Sequence, residues 1–87
     1  MKDYVIVVVN NPMQFDAILH SREFEFKRRP RCIVANGFRC ADQLRGIENF
    51  TIIFGDKWSK LLPLGYEQLF MEVLQSRRDY EVLYSKW

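Results

Sequence analysis

The sequence predicts a small α/β domain of Rossmann-like or P-loop-like outline: a four-stranded, mostly parallel sheet with helices on both faces. Two observations carry that prediction. Tyr4-Val5-Ile6-Val7-Val8-Val9 and Phe50-Thr51-Ile52-Ile53-Phe54 are almost unbroken apolar runs. A strand with one wet face alternates apolar and polar residues, so runs of this kind belong to strands covered above and below. These runs and two weaker strand signals also alternate with helical signals. That is the order of a βαβαβαβ chain with right-handed crossovers.

The first strand is read as Tyr4 to Val9. Asn11-Pro12 then supplies an N-cap and a proline at the first helical position, and Phe15, Ile18 and Leu19 form one apolar stripe. Glu23-Phe24-Glu25-Phe26 fits either a strand or a last helical turn. Pro30 closes that region, because the residue before proline avoids helical geometry. The second strand is Arg31 to Ala35, and Asn36-Gly37 marks a turn. A short helix is expected over Cys40 to Arg45, with Gly46 ending it. The third strand is Phe50 to Phe54. The clearest helix follows, with Tyr66, Leu69, Phe70, Val73 and Leu74 on one stripe and Glu67, Glu72 and Arg78 on the other face. Tyr80 to Tyr84 is the fourth strand. The fully apolar first and third strands belong in the middle of the sheet and the more polar second and fourth at its edges, which gives the order 2-1-3-4.

The chain has 87 residues, 48% hydrophobic and 15% aromatic, and reads as a single domain over 1–87. About 60–65% of the unfolded surface is expected to be buried in a domain of this size. Seven Phe, four Tyr and two Trp are many for so small a body, so some rings are expected on the surface, either clustered at a protein interface or scattered around an aromatic-rich core. The net charge of +2 is mild for a dedicated nucleic-acid binder. Two cysteines without a CxxC spacing make no disulfide framework, and a reduced, cytoplasmic protein is the simplest reading. The short apolar start does not make a signal peptide, and no run is long enough to span a membrane.

In open parallel sheets, ligands bind beyond the carboxyl ends of the strands at the point where strand order reverses. Those ends carry Asn10, Asn11 and Met13; Asn36, Gly37 and Arg39; and Gly55, Asp56, Lys57 and Trp58. Asn10, Asn11, Asn36, Arg39 and Asp56 are therefore candidate cleft residues, although the same types are ordinary turn and capping residues.

Leu44-Arg45-Gly46-Ile47, the apolar strand Phe50 to Phe54 and then Asp56 resemble the approach to the second acidic motif of RecA-like P-loop ATPases and helicases. That resemblance spans about residues 31–58 and implies a strand-end aspartate that helps hold magnesium. The pattern departs from the family at two places: Gly55 intervenes before Asp56, and Lys57 stands where an acid is usual. The phosphate-cradling GxxxxGK[ST] is absent, since the first strand runs into Asn10-Asn11-Pro12-Met13. ATP hydrolysis does not carry over.

No catalytic set emerges. His20 is the one histidine and is read as a surface residue near a helix C-terminus. Cys40, near a helix start, is either an activated thiolate or, by preference, a small buried hydrophobe. Cys32 is read as core, and no metal or cofactor is implied.

The leading expectation is therefore a non-catalytic macromolecular binding module acting through protein–protein contacts. It is of the kind that bacteriophages and mobile elements use as accessory or inhibitory proteins. Tyr80, Tyr84, Trp87 and Trp58 are its candidate partner-binding residues, for another protein or a second copy. A second expectation is nucleic-acid contact through Lys27, Arg28, Arg29 and Arg31, with Phe24 and Phe26 beside them. The same charges would otherwise serve to protect an edge strand. A third is a degenerate nucleotide site at the cleft residues.

Overall fold

The computed structural model describes residues 1–37 and 39–87. Its elements run β1 (Tyr4–Val9), α1 (Pro12–His20), β2 (Arg31–Val34), a 3-10 helix (Cys40–Leu44), β3 (Phe50–Phe54), α2 (Tyr66–Gln75) and β4 (Tyr80–Tyr84). All three strand pairings are parallel and the sheet order is β2-β1-β3-β4. The two apolar strands lie side by side at the centre, from Tyr4 opposite Phe50 to Val8 opposite Phe54.

Alternation along the strands sorts the core into two layers. Ile6, Val8, Ile33, Phe50, Ile52 and Phe54 face the 3-10 helix and α2, whose Cys40, Ala41, Leu44, Phe70 and Leu74 complete that layer. Val5, Val7, Val9 and Ile53 face α1, where Phe15 and Ile18 cover them. Each fully buried Val, Ile or Phe contributes about 1.5–3 kcal/mol of hydrophobic stabilisation, so the stacked central strands supply most of the drive to fold. Thr51 is the polar residue in this block. Its Oγ1 accepts from the Lys2 N–H at 2.8 Å and donates to Glu81 Oε1 at 2.8 Å, so its burial leaves nothing unsatisfied.

The chemistry of the helix starts and stops is local. Asn11 caps α1 by accepting the Gln14 N–H at 2.9 Å, and Pro12 opens the helix. α1 ends without a glycine: Arg22 takes the left-handed conformation at φ 60. Gly46, at φ 76, turns the chain after the 3-10 helix, where a side chain would be strained.

Five readings are corrected. The predicted helix over Cys40 to Arg45 is a tighter 3-10 turn ending at Leu44, since five residues form too few bonds to hold an α-helix. Glu23 to Phe26 is neither strand nor helix but part of an irregular crossover. Its Phe24 and Phe26 pack onto the α1 layer. Cys32 is half-buried rather than core, because β2 is an edge strand. α2 stops at Gln75, so Arg78 lies beyond it, and Leu69 is exposed. Trp58 and Tyr80, expected on a surface, pack partly buried against the α2 layer.

Candidate functional site

The carboxyl ends of β1 and β3 meet where the strand order reverses. There the structure gathers Asn10, Asn11, Met13, Asp56 and Lys57 around an open hollow of about 380 Å³, together with Gln14, Lys60 and Trp87. Asn36, Gly37 and Arg39 are not part of it. They line a separate hollow of about 370 Å³ with Val34, Cys40 and Gln43. The five candidate cleft residues thus form two groups, because the turn after β2 leads away into the 3-10 helix.

The walls of the hollow at the reversal point are tied together by their own hydrogen bonds. Gln14 Oε1 accepts the Asn10 N–H at 2.7 Å, and Gln14 Nε2 donates to the carbonyls of Asp56 at 2.6 Å and Trp87 at 2.8 Å. Asn10 Nδ2 donates to the Lys57 carbonyl at 3.0 Å, and Asn11 Nδ2 donates to Asn10 Oδ1. Asp56 N–H in turn donates to the Trp87 carbonyl at 3.1 Å. Gly55 makes this approach feasible, since a Cβ there would lie 2.6 Å from Gln14 Nε2. The amides of Asn10, Asn11 and Gln14 thus bind within the hollow's own walls, while the Asp56 carboxylate and the Lys57 and Lys60 amines line it without an ion pair among the described residues.

Sequence reasoning missed Gln14, although a signal was present. Asn11-x-x-Gln14 is the spacing of a capping box, in which the third helical residue reaches back to the N-cap region. Here it reaches one residue further, to Asn10.

The C-terminal aromatics separate as well. The Trp87 N–H donates to Ser85 Oγ at 3.0 Å, and its carbonyl is held from two sides as above, so this residue is fixed at the hollow. Glu23 holds the same tail from the crossover, accepting from Ser85 Oγ at 2.7 Å and from the Lys86 N–H at 2.9 Å. Trp58 contacts Phe54 and Phe70, with ring centroids 4.7 Å and 5.1 Å away. Tyr80 stacks on Phe50 and Tyr84 on Phe54. Of the four, Tyr84 and Trp87 are the exposed ones, at 69% and 55%.

The basic segment behaves differently. Lys27, Arg28, Arg29 and Arg31 are all exposed. Arg29 lies 5.2 Å over the Phe15 ring, and Arg31 donates to the Tyr4 hydroxyl at 3.3 Å. The ion pairs among the described residues, Met1 amine with Glu81 and Arg45 with Asp42, involve none of these cations.

Neither cysteine has a lowered thiol pKa. Burial pushes both thiols above their ordinary value, against the weaker lowering influence of Arg29 at Cys32 and of backbone N–H groups at Cys40. His20 is exposed, its Nδ1 2.8 Å from the Asp16 carbonyl oxygen. Among the described residues no helix is long and apolar enough to cross a membrane.

Fold and surface together define the class: a small α/β domain with an all-parallel four-stranded sheet, an open strand-end hollow cross-linked by its own amides, and a crossover whose cations have no ion pair among the described residues. Comparison with protein-family models, curated proteins and solved structures finds no match to this chain.

Proposed function

We propose that this protein is a non-catalytic binding module whose work is protein–protein contact, beginning with a second copy of itself across the open edge of β4. One observation carries the reading: β4 is an edge strand whose alternate residues Tyr80, Val82 and Tyr84 are symmetric about Val82. Tyr80, Val82 and Tyr84 lie on one face of the sheet, in the order Tyr-x-Val-x-Tyr.

The Ser85 N–H points inward, to the Phe54 carbonyl at 2.9 Å. Alternation then turns the backbone groups of Val82 and Tyr84 outward, with no partner among the described residues. Two antiparallel β4 strands related by a two-fold axis would set Val82 against Val82 and each Tyr80 against a Tyr84. The unmatched outward groups would then be satisfied and the aromatic pairs would lie in contact. Glu81 would face Leu83, so no like charges meet. Natural edges are usually guarded by lysine, proline or a bulge, and β4 has only Glu81.

The reading also fits the compartment expected for two free thiols, a reducing cytoplasm. A small accessory or inhibitory role, of the bacteriophage or mobile-element kind, is its natural setting.

Light scattering across a concentration series tests it. The expected result is a species of twice 10.5 kDa that Val82→Pro converts to monomer. Proline is tolerated at this position because the lost N–H faces outward. Tyr84→Lys should act in the same direction by adding charge at the seam. A parent chain that stays monomeric at every concentration overturns the proposal.

A further inference from the structure

We infer that the crossover between α1 and β2 is a binding groove for single-stranded nucleic acid, a second surface that does not depend on β4. The groove is an open hollow of about 730 Å³ lined by the chain from Arg22 to Pro30. A second hollow of about 320 Å³ shares Glu25, Phe26, Lys27 and Arg28 with it and extends the surface to Lys2. In the larger hollow four cations, Arg22, Lys27, Arg28 and Arg29, face two carboxylates, Glu23 and Glu25. That excess of two equals the net charge of the whole chain, so the rest of the molecule balances to zero.

One of the two acids is engaged elsewhere, since Glu23 is bound to Ser85 and Lys86. The cations have no acid partner among the described residues. An unpaired cationic groove attracts a polyanion through release of its counterions.

The aromatics decide which polyanion. Phe24 and Phe26 both line the hollow, with ring centroids 6.1 Å apart, and both are anchored by packing onto the α1 layer. Fixed rings beside cations offer stacking surface to unpaired bases. A duplex, whose bases already stack on one another, gains nothing from them. The crossover is also held at both ends, by Glu23 on the C-terminal tail and by Arg31 in β2, so it meets a ligand already shaped.

The test is fluorescence anisotropy with a labelled oligothymidine of about twelve nucleotides, within the site sizes of single-strand grooves. The same-length duplex and heparin serve as competitors. With about three phosphates engaged, log K should fall against log salt with a slope of about −2, a loss of about 20-fold between 50 and 200 mM. Lys27→Ala with Arg28→Ala should flatten that slope by about 1.4. Phe24→Leu, which keeps an apolar side chain in the packing, should weaken binding about 5-fold or more and leave the slope unchanged. Arg77→Ala with Arg78→Ala, the other dibasic site, should change nothing.

No binding at low salt overturns the inference. So does duplex or heparin bound as tightly as oligothymidine, or a neutral Phe24→Leu. Val82→Pro should bind the oligonucleotide like the parent, so failure here and failure of the β4 contact are read separately.

Discussion

The strand-end hollow and the cationic crossover hold the two sets of polar residues most suggestive of a ligand, and they have opposite fates. At the hollow, the amides of Asn10, Asn11 and Gln14 and the main-chain oxygens of Asp56, Lys57 and Trp87 bind one another, and only the exposed Lys57 and Lys60 amines lack an acid partner among the described residues. In the crossover, Lys27 and Arg28 have no acid partner among the described residues. Residue type does not separate a site from a structural network. What separates them is whether donors and acceptors are already satisfied, because a satisfied buried group must lose a bond before it can bind a ligand.

The largest effect is expected from beneath the hollow. Phe54 ends β3, is almost fully buried, and touches Trp58, Phe70 and Tyr84. Phe54→Ala should cost about 3–5 kcal/mol in urea unfolding, a large share of the stability of a domain this size.

A smaller change opens the network itself. Gln14→Ala should cost about 0.5–1.5 kcal/mol, since it leaves the part-buried Asn10 N–H and the Asp56 main-chain oxygen without this partner, while the Trp87 oxygen keeps the Asp56 N–H. Gly55→Ala should cost a similar amount by driving the amide out of the space its Cβ would enter. If the network is as described, the two are not additive: in a double-mutant cycle the second substitution adds little. Hydrogen exchange should show the Trp87 tail released in either variant.

Alkaline pH sharpens the contrast further, through Cys40 at the neighbouring hollow. Burial raises its thiol pKa in the folded state, so above the ordinary thiol range the native protein binds more protons than the unfolded chain. That contribution to stability is complete below the unfolded thiol pKa and is lost as pH climbs through the raised folded value. Cys40→Ala should therefore flatten the alkaline decline in unfolding midpoint.

The least effect belongs to the crossover. Lys27→Ala and Arg28→Ala should stay within about 0.5 kcal/mol of the parent, because exposed side chains without partners contribute little to folding. A large loss there would mean that these cations serve the fold.

The sequence alone determined the strands, their order and the two helices, because apolar pattern and capping chemistry are local. Asn11-Pro12 starts α1 wherever the chain goes, and runs without alternation require a sheet covered on both faces. Long-range contacts set the rest. Gln14 meets Asp56 and Trp87, 42 and 73 positions away, and Glu23 meets Lys86 across 63. Asn36 and Arg39 are drawn from the hollow by the course of the turn after β2. Trp58 and Tyr80 turn inward because the α2 layer takes them up. Which polar atoms are satisfied and which rings are covered depends on contacts between distant segments, and no local pattern encodes those.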